Sequence, residues 1–214
     1  MLFRSIGELQ RVDGKLAFTV RVENRTGHKF PTGYPARRAW LHVQVRSGGK
    51  IVFESGAFDE DGRLVGVADE GAIPHRNLVE KPEDVVVYEM VALAPDGKPT
   101  TYLTKMTQKQ KDNRLLPRGY RTDGPHAAET APAGTDGDAD FQAGGDTVSF
   151  RVPLAEDAKP CQVLVWMHYQ SVPPHWVDAL RTVDHDDCRS FVQMYDKADK
   201  SPQTVDIAQR MEAR

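Results

Sequence analysis

Lys15-Leu16-Ala17-Phe18-Thr19-Val20-Arg21-Val22-Glu23 alternates apolar and polar residues without a break. Successive side chains of a strand point to opposite faces. Leu16, Phe18, Val20 and Val22 therefore share one face, and Ala17, Thr19, Arg21 and Glu23 the other. This is the pattern of a strand with one buried side. It recurs at residues 39–46, where Leu41, Val43 and Val45 oppose Trp40, His42 and Gln44. Between the two lies Asn24-Arg25-Thr26-Gly27-His28-Lys29-Phe30-Pro31-Thr32-Gly33-Tyr34-Pro35-Ala36-Arg37, a loop dense in turn formers and cations.

Outward from this pair the β pattern continues. Ser47-Gly48-Gly49-Lys50 reads as a hairpin turn, because glycines accept the positive φ such turns need. Residues 51–55 return from it. Residues 84–93 are apolar on both faces, as in a central strand. Pro95-Asp96-Gly97-Lys98 is a turn, followed by a short strand at 100–104. Residues 147–154 and 162–170 alternate again and read as the closing hairpin. Asp59-Glu60-Asp61-Gly62 is a turn that resembles a calcium loop only faintly, for it lacks the later carboxylate. The sequence predicts a mainly β protein, an antiparallel immunoglobulin-like sandwich with a C-terminal helical appendage.

The boundaries expected are a sandwich over 14–172 with a long irregular insertion at about 105–145, and helices over 173–200 packed on it. Residues 201–214 read as a polar tail, frayed or a short helix. After Pro173-Pro174 the period becomes helical, with Trp176, Val177 and Leu180 on one side. Cys188, Phe191, Val192 and Tyr195 form a second apolar stripe that turns Cys188 toward the core. A run as long as 105–145 is either functional or mobile, and could wrap a neighbouring domain. Residues 1–13 read as an extension. Met1-Leu2-Phe3-Arg4-Ser5 lacks an apolar leader segment, and Leu-Phe-Arg-Ser also matches the translated end of a sequencing adapter. The start is therefore read as artificial, with upstream sequence missing.

The 214 residues include 39% hydrophobic and 28% charged side chains, enough to bury a core, and carry a formal net charge of -3. Without a basic excess, nothing argues for a nucleic-acid surface. No apolar run approaches the roughly 20 residues of a membrane-spanning helix. The two cysteines, Cys161 and Cys188, have no metal spacing and no Cys-x-x-Cys-His is present; they are either a disulfide or two separate thiols. Serine-nucleophile, P-loop and dinucleotide motifs are absent.

Seven histidines are present. His42 and His168 fall on strands and read as locally bonded strand residues. His75, His126, His175 and His185 fall in loops or at helix starts and read as exposed or capping. His28 differs. Gly27 removes a side chain beside it, and Pro31-Thr32-Gly33 stiffens the other flank. Arg37 and Arg38 offer bidentate pairing to carboxylates. From these residues alone, His28 is either a metal ligand or the histidine of an ordinary glycine-containing loop.

Asn24-Arg25-Thr26-Gly27-His28-Lys29-Phe30-Pro31-Thr32-Gly33, running into Arg37-Arg38-Ala39-Trp40-Leu41, resembles the β-sandwich domain at the C-terminal end of certain bacterial multihaem c-type cytochromes. Lys111-Asp112-Asn113-Arg114-Leu115-Leu116-Pro117-Arg118-Gly119 and Tyr169-Gln170-Ser171-Val172-Pro173-Pro174-His175-Trp176 resemble further segments of that family. The resemblance implies that His28 is a distal axial ligand to haem iron, with Gly27 beside the haem. By position it makes Arg37, Arg38 and Arg114 candidate haem-propionate or interdomain partners. The haem c would be held by an upstream multihaem domain or a separate cytochrome, because this chain has no haem-attachment motif. The location implied is periplasmic or extracellular, and the role implied is support of electron transfer. Two other classes stand beside it. One is a cofactor-free binding or adhesion module using Trp40 and Trp166. The other is a non-catalytic domain of a multihaem oxidoreductase of the nitrogen-cycle type.

Overall fold

A computed structural model describes the backbone of residues 2–213 and the side chains of residues 5–213. The strands in chain order are β1 (Leu2–Ile6), β2 (Gln10–Val12), β3 (Lys15–Asn24), β4 (Arg38–Ser47), β5 (Lys50–Ser55), β6 (Leu78–Val79), β7 (Val87–Tyr88), β8 (Met90–Leu93), β9 (Pro99–Thr100), β10 (Gln108–Asp112), β11 (Gly145–Pro153), β12 (Cys161–Gln170) and β13 (Gln203–Met211). Among the described residues, three helices, α1 (Ala127–Thr130), α2 (Pro174–Arg181) and α3 (Asp186–Lys197), complete the fold.

Two main sheets face each other. The first runs β1-β3-β11-β6, with β2 also on β3; the second runs β13-β12-β4-β5, with β7 also on β4. The facing sides are those the alternation marked. Leu16, Phe18, Val20 and Val22 meet Leu41, Val43, Val45, Val163, Val165 and Met167 in one buried cluster. Phe18 and Phe150 stack at 4.9 Å on adjacent strands. Removing such side chains from water is the main stabilisation, roughly 1.5–3 kcal/mol for each large residue. A second cluster of Trp40, Leu64, Ile73, Val85 and Val87 lies on the other side of β4. That half of the second sheet is therefore buried on both faces. The β-sandwich with small helical parts is as expected, and Gly48 and Gly49 take the positive φ of the predicted hairpin.

Several details differ. β11 and β12 do not form a hairpin: β11 pairs with β3, and β12 with β4 and β13. Alternation gives a strand's faces but not its partner. The stretch 84–93 is not one strand. Val87 and Tyr88 pair with β4, whereas Met90–Leu93 joins a small third sheet, β10-β8-β9. Apolarity on both faces reflects this change of partner. The expected strand at 100–104 is β9 followed by a 3-10 turn at Leu103–Lys105.

The polar tail is also corrected. Gln203–Met211 is an edge strand on β12, and Glu212 accepts bonds from Arg11 and from the Cys161 amide. Its Val205 and Ile207 face outward, exposed, so no buried alternation marked it. Residues 5–13 are likewise built into the first sheet by β1 and β2 rather than extending from it; Met1 lies outside the described residues. The 105–145 insertion is largely organised, with β10, α1 and buried Lys111, Asp112, Asn113, Leu115 and Leu116. Cys188 is only half-buried, since α3 buries no residue fully, and both cysteines are free.

Candidate functional site

The loop between β3 and β4 is held by Asn24, the last residue of β3 and fully buried. Its Nδ2 donates to the His28 carbonyl at 2.7 Å and to the Leu115 carbonyl at 2.8 Å. Its Oδ1 accepts from the Thr26 amide at 2.9 Å and lies 2.8 Å from the Thr26 hydroxyl. One amide thus satisfies backbone groups of both the loop and the 111–119 segment. Phe30 and Leu115 add a bridge, exchanging bonds of 3.0 and 2.8 Å. Gly33 takes φ +77° and closes the turn, with the Arg37 guanidinium against it. The Phe30-Pro31 bond is cis.

His28 is exposed at the tip. Its Nδ1 lies 3.0 Å from the Lys29 carbonyl. A carbonyl can only accept, so Nδ1 carries the proton, and in the neutral ring Nε2 keeps its lone pair. A backbone acceptor behind one ring nitrogen is the arrangement that orients an imidazole for coordination through the other. Gly27 is exposed, and a Cβ built there meets nothing within 4 Å. The fold itself does not require glycine at that point.

Below the loop lies a buried charge cluster. Lys29 pairs with Asp112 at 2.7 Å, and Arg114 holds the same carboxylate in a bidentate bond of 2.7 and 2.9 Å. Burial works against ionising Asp112, but Arg114 and Lys29 overcome it and hold its pKa below the usual range. Burial pushes Lys29 down, against the pull of Asp112. With Lys109 at 3.9 Å, three cations surround one carboxylate, so the field beneath the loop is positive.

The three segments singled out in the sequence converge here. The 24–33 loop bridges to the 111–119 segment through Phe30 and Leu115. It meets the 169–176 segment through Phe30–Tyr169 at 6.1 Å, and the following Tyr34 meets Trp176 at 5.4 Å. The candidate arginines divide. Arg37 is half-buried and donates to the Thr32 carbonyl at 2.9 Å. Arg114 is committed to Asp112. Arg38 is fully buried, bonded to Gln170 and the Gly62 carbonyl and 3.4 Å from Glu70. It faces the interior because it starts β4 on the side covered by the 56–88 segment, which corrects its reading as an outward partner.

Trp40 is also fully buried, with Nε1 donating to the Gly56 carbonyl at 2.9 Å, so it is no binding surface. His42 and His168 are strand residues with local partners: Glu54 lies 2.7 Å from His42, and Thr204 3.2 Å from His168. His185 caps α3. His75 departs from expectation, being buried at 2.8 Å from Asp138. Sequence reasoning missed Asn24 as the anchor, along with Asp112 and His75. Their one visible signal is polarity beside apolar runs, which gives no partner.

No protein-family model matches the chain, and no curated protein matches it. Among solved structures it is similar to a penta-heme cytochrome c552 from Thermochromatium tepidum. The fold resembles part of a multihaem cytochrome. The TM-score is 0.58, at 14% identity, over 98% of this chain and 39% of that one. The chain thus spans well under half the length of the cytochrome, and at such identity the likeness concerns the fold. The described residues include no helix long and apolar enough to cross a membrane.

Proposed function

We propose that this chain is the haem-contacting β-sandwich domain of a multihaem c-type cytochrome, in which His28 supplies the distal axial ligand to a haem carried covalently elsewhere. The observation that carries the reading is the exposed His28 ring, with Nδ1 held by the Lys29 carbonyl and Nε2 left with its lone pair. The likeness to part of a penta-heme cytochrome supports the cofactor class. A bound haem would supply one-electron chemistry. The residues of this chain orient the imidazole through Asn24 and Lys29, and leave open space at Gly27. They also place the positive field of Lys29, Lys109 and Arg114 behind the loop. Arg37 is the propionate or interdomain partner in this reading, while Arg114, held by Asp112, contributes only to that field. The two-sheet sandwich, with β1, β2 and β13 built into it, and helices α2 and α3 act as one docking body beside an upstream multihaem domain or separate cytochrome, in a periplasmic or extracellular setting.

The test is a titration of the purified chain with a c-type haem peptide that has one open axial position, followed by the Soret band. Wild type is expected to give the low-spin bis-imidazole spectrum, and His28→Ala to weaken binding at least tenfold. His185→Ala, at another exposed histidine, should bind as wild type. Equal binding by His28→Ala and wild type would overturn the ligand assignment.

A further inference from the structure

A second constellation lies apart from the His28 loop. His75 comes from the segment before β6, Asp138 and Asp140 from the 105–145 insertion, Asp146 from the start of β11 and Tyr88 from β7. Ligand-type atoms of His75, Asp138 and Asp146 all lie within 4.8 Å of one another. Asp138 takes His75 Nε2 at 2.8 Å on Oδ2, and the amides of Asp140 and Phe141, both at 3.2 Å, on Oδ1. Asp146 is fully buried. Its Oδ2 accepts from the Tyr88 hydroxyl at 2.8 Å, while its Oδ1 has no hydrogen bond of ordinary geometry. Oδ1 of Asp140 is likewise buried with no N–H or O–H donor, and the Asp140 carboxyl lies against that of Asp138. Leaving such an oxygen unpaired in the interior is costly. Two of them in one cluster of three carboxylates call for something positive between them.

His75 does not supply that charge. Asn113, fully buried, accepts from the Glu89 amide at 2.9 Å on Oδ1 and donates from Nδ2 to the Val87 carbonyl at 2.8 Å. Those two bonds fix its orientation, so Nδ2 also donates to His75 Nδ1 at 3.0 Å. Nδ1 is therefore an acceptor, and the proton sits on Nε2, facing Asp138. Burial also holds the imidazole below its ordinary pKa, against the pull of Asp138. A neutral ring with its proton on Nε2 cannot ligate a metal through that atom. His75 is a positioning residue for Asp138, and the open donors are all oxygens.

We propose that Asp138, Asp140 and Asp146 form a site for a hard divalent cation, calcium by preference. The set is oxygen-only and carboxylate-rich, which suits calcium and disfavours zinc, whose usual sites here would need the blocked imidazole nitrogen. The cation would tie the 105–145 insertion to β11, whose Asp146 is in turn bonded to Tyr88 of β7. It does not depend on the His28 reading.

The test uses the chelator-treated full chain. Terbium is a calcium surrogate whose luminescence is excited through nearby tyrosine, and Tyr88 touches Asp146. Expected are one terbium per chain, displaced by calcium more readily than by magnesium or zinc, and a rise in Tm on adding calcium. Asp146→Asn and the half-buried Asp140→Asn should each weaken calcium binding more than tenfold, with circular dichroism reporting whether each folds. Asp136→Asn, exposed and outside the cluster, should bind as wild type. Absence of stoichiometric calcium binding would overturn the proposal. So would a folded Asp140→Asn with unchanged affinity, or tighter zinc binding that His75→Gln abolishes.

Discussion

Replacing Asn24 with alanine removes the one side chain that ties the His28 loop to both the strand and the 111–119 segment. In the fully buried native site it makes hydrogen bonds to His28, Leu115 and Thr26. Each such bond contributes about 1 kcal/mol net, and each buried backbone group left unpaired adds about 1–3 kcal/mol. The Leu115 carbonyl is buried but keeps the Phe30 amide as a donor at 3.0 Å, and the Thr26 and His28 groups lie nearer the surface, so the cost is mainly that of the lost bonds. The expected loss is about 2–4 kcal/mol, which for a chain of this size lowers Tm by roughly 4–16 °C. Urea unfolding followed by circular dichroism measures the global cost. Hydrogen exchange at residues 26–30 and 115 separates local loosening from it. Asn24→Asp keeps the acceptor but sets a carboxylate oxygen against two carbonyls, so it should be no better than alanine. Thr26→Ala, which loses only the hydroxyl, should cost about 1 kcal/mol. If Asn24→Ala costs no more than Thr26→Ala, and exchange at Leu115 is unchanged, the anchoring role assigned to Asn24 is wrong.

Two other perturbations follow from buried charges. Burial works to raise the Glu70 pKa, but His175, the Arg38 charge and the Leu64 amide outweigh it and hold it at about 2. A carboxylate whose folded pKa is depressed stabilises the fold above its unfolded pKa of about 4.5 and loses that contribution as pH falls toward 2, at most about 3 kcal/mol. The urea midpoint of wild type should therefore approach that of Glu70→Gln between about pH 5 and 3; parallel curves would refute the assignment. Lys111 donates to the Ile73 carbonyl at 2.8 Å and to Glu89 at 3.1 Å, with both side chains nearly inaccessible. Lys111→Met should cost about 3–5 kcal/mol by leaving Glu89 unpaired, and adding Glu89→Gln should restore part of it. A loss below about 1 kcal/mol in the single variant would show that Glu89 finds another partner or a proton.

The strand faces were legible in the sequence because the pleat has a period of two, a local property that any single chain displays. Leu16, Phe18, Val20, Val22, Leu41, Val43 and Val45 could be assigned to the interior from alternation alone. The exposed His28 between two such strands, beside Gly27, was legible for the same reason, since a loop joining half-buried strands falls at the end of a sandwich. Which strands pair was not. Val87 and Tyr88 join one sheet and Met90–Leu93 another, though the run looks continuous. Gln203–Met211 completes a sheet edge with its larger apolar residues facing water.

The polar anchors were hidden most completely. Asn24 finds the Leu115 carbonyl across 91 positions, and His75 finds Asp138 across 63. Hydrogen-bond partners at such separations have no period and no local signature; they are fixed only when the packed sheets bring distant backbone together. Alternation alone gives a sandwich that displays a histidine. Packing fixes what holds that histidine: the Lys29 carbonyl behind its ring, Asn24 beneath its backbone, and a buried Asp112 whose cations set the field around it. Burial gives these groups their meaning, because only where water is excluded must each donor and each charge have a partner.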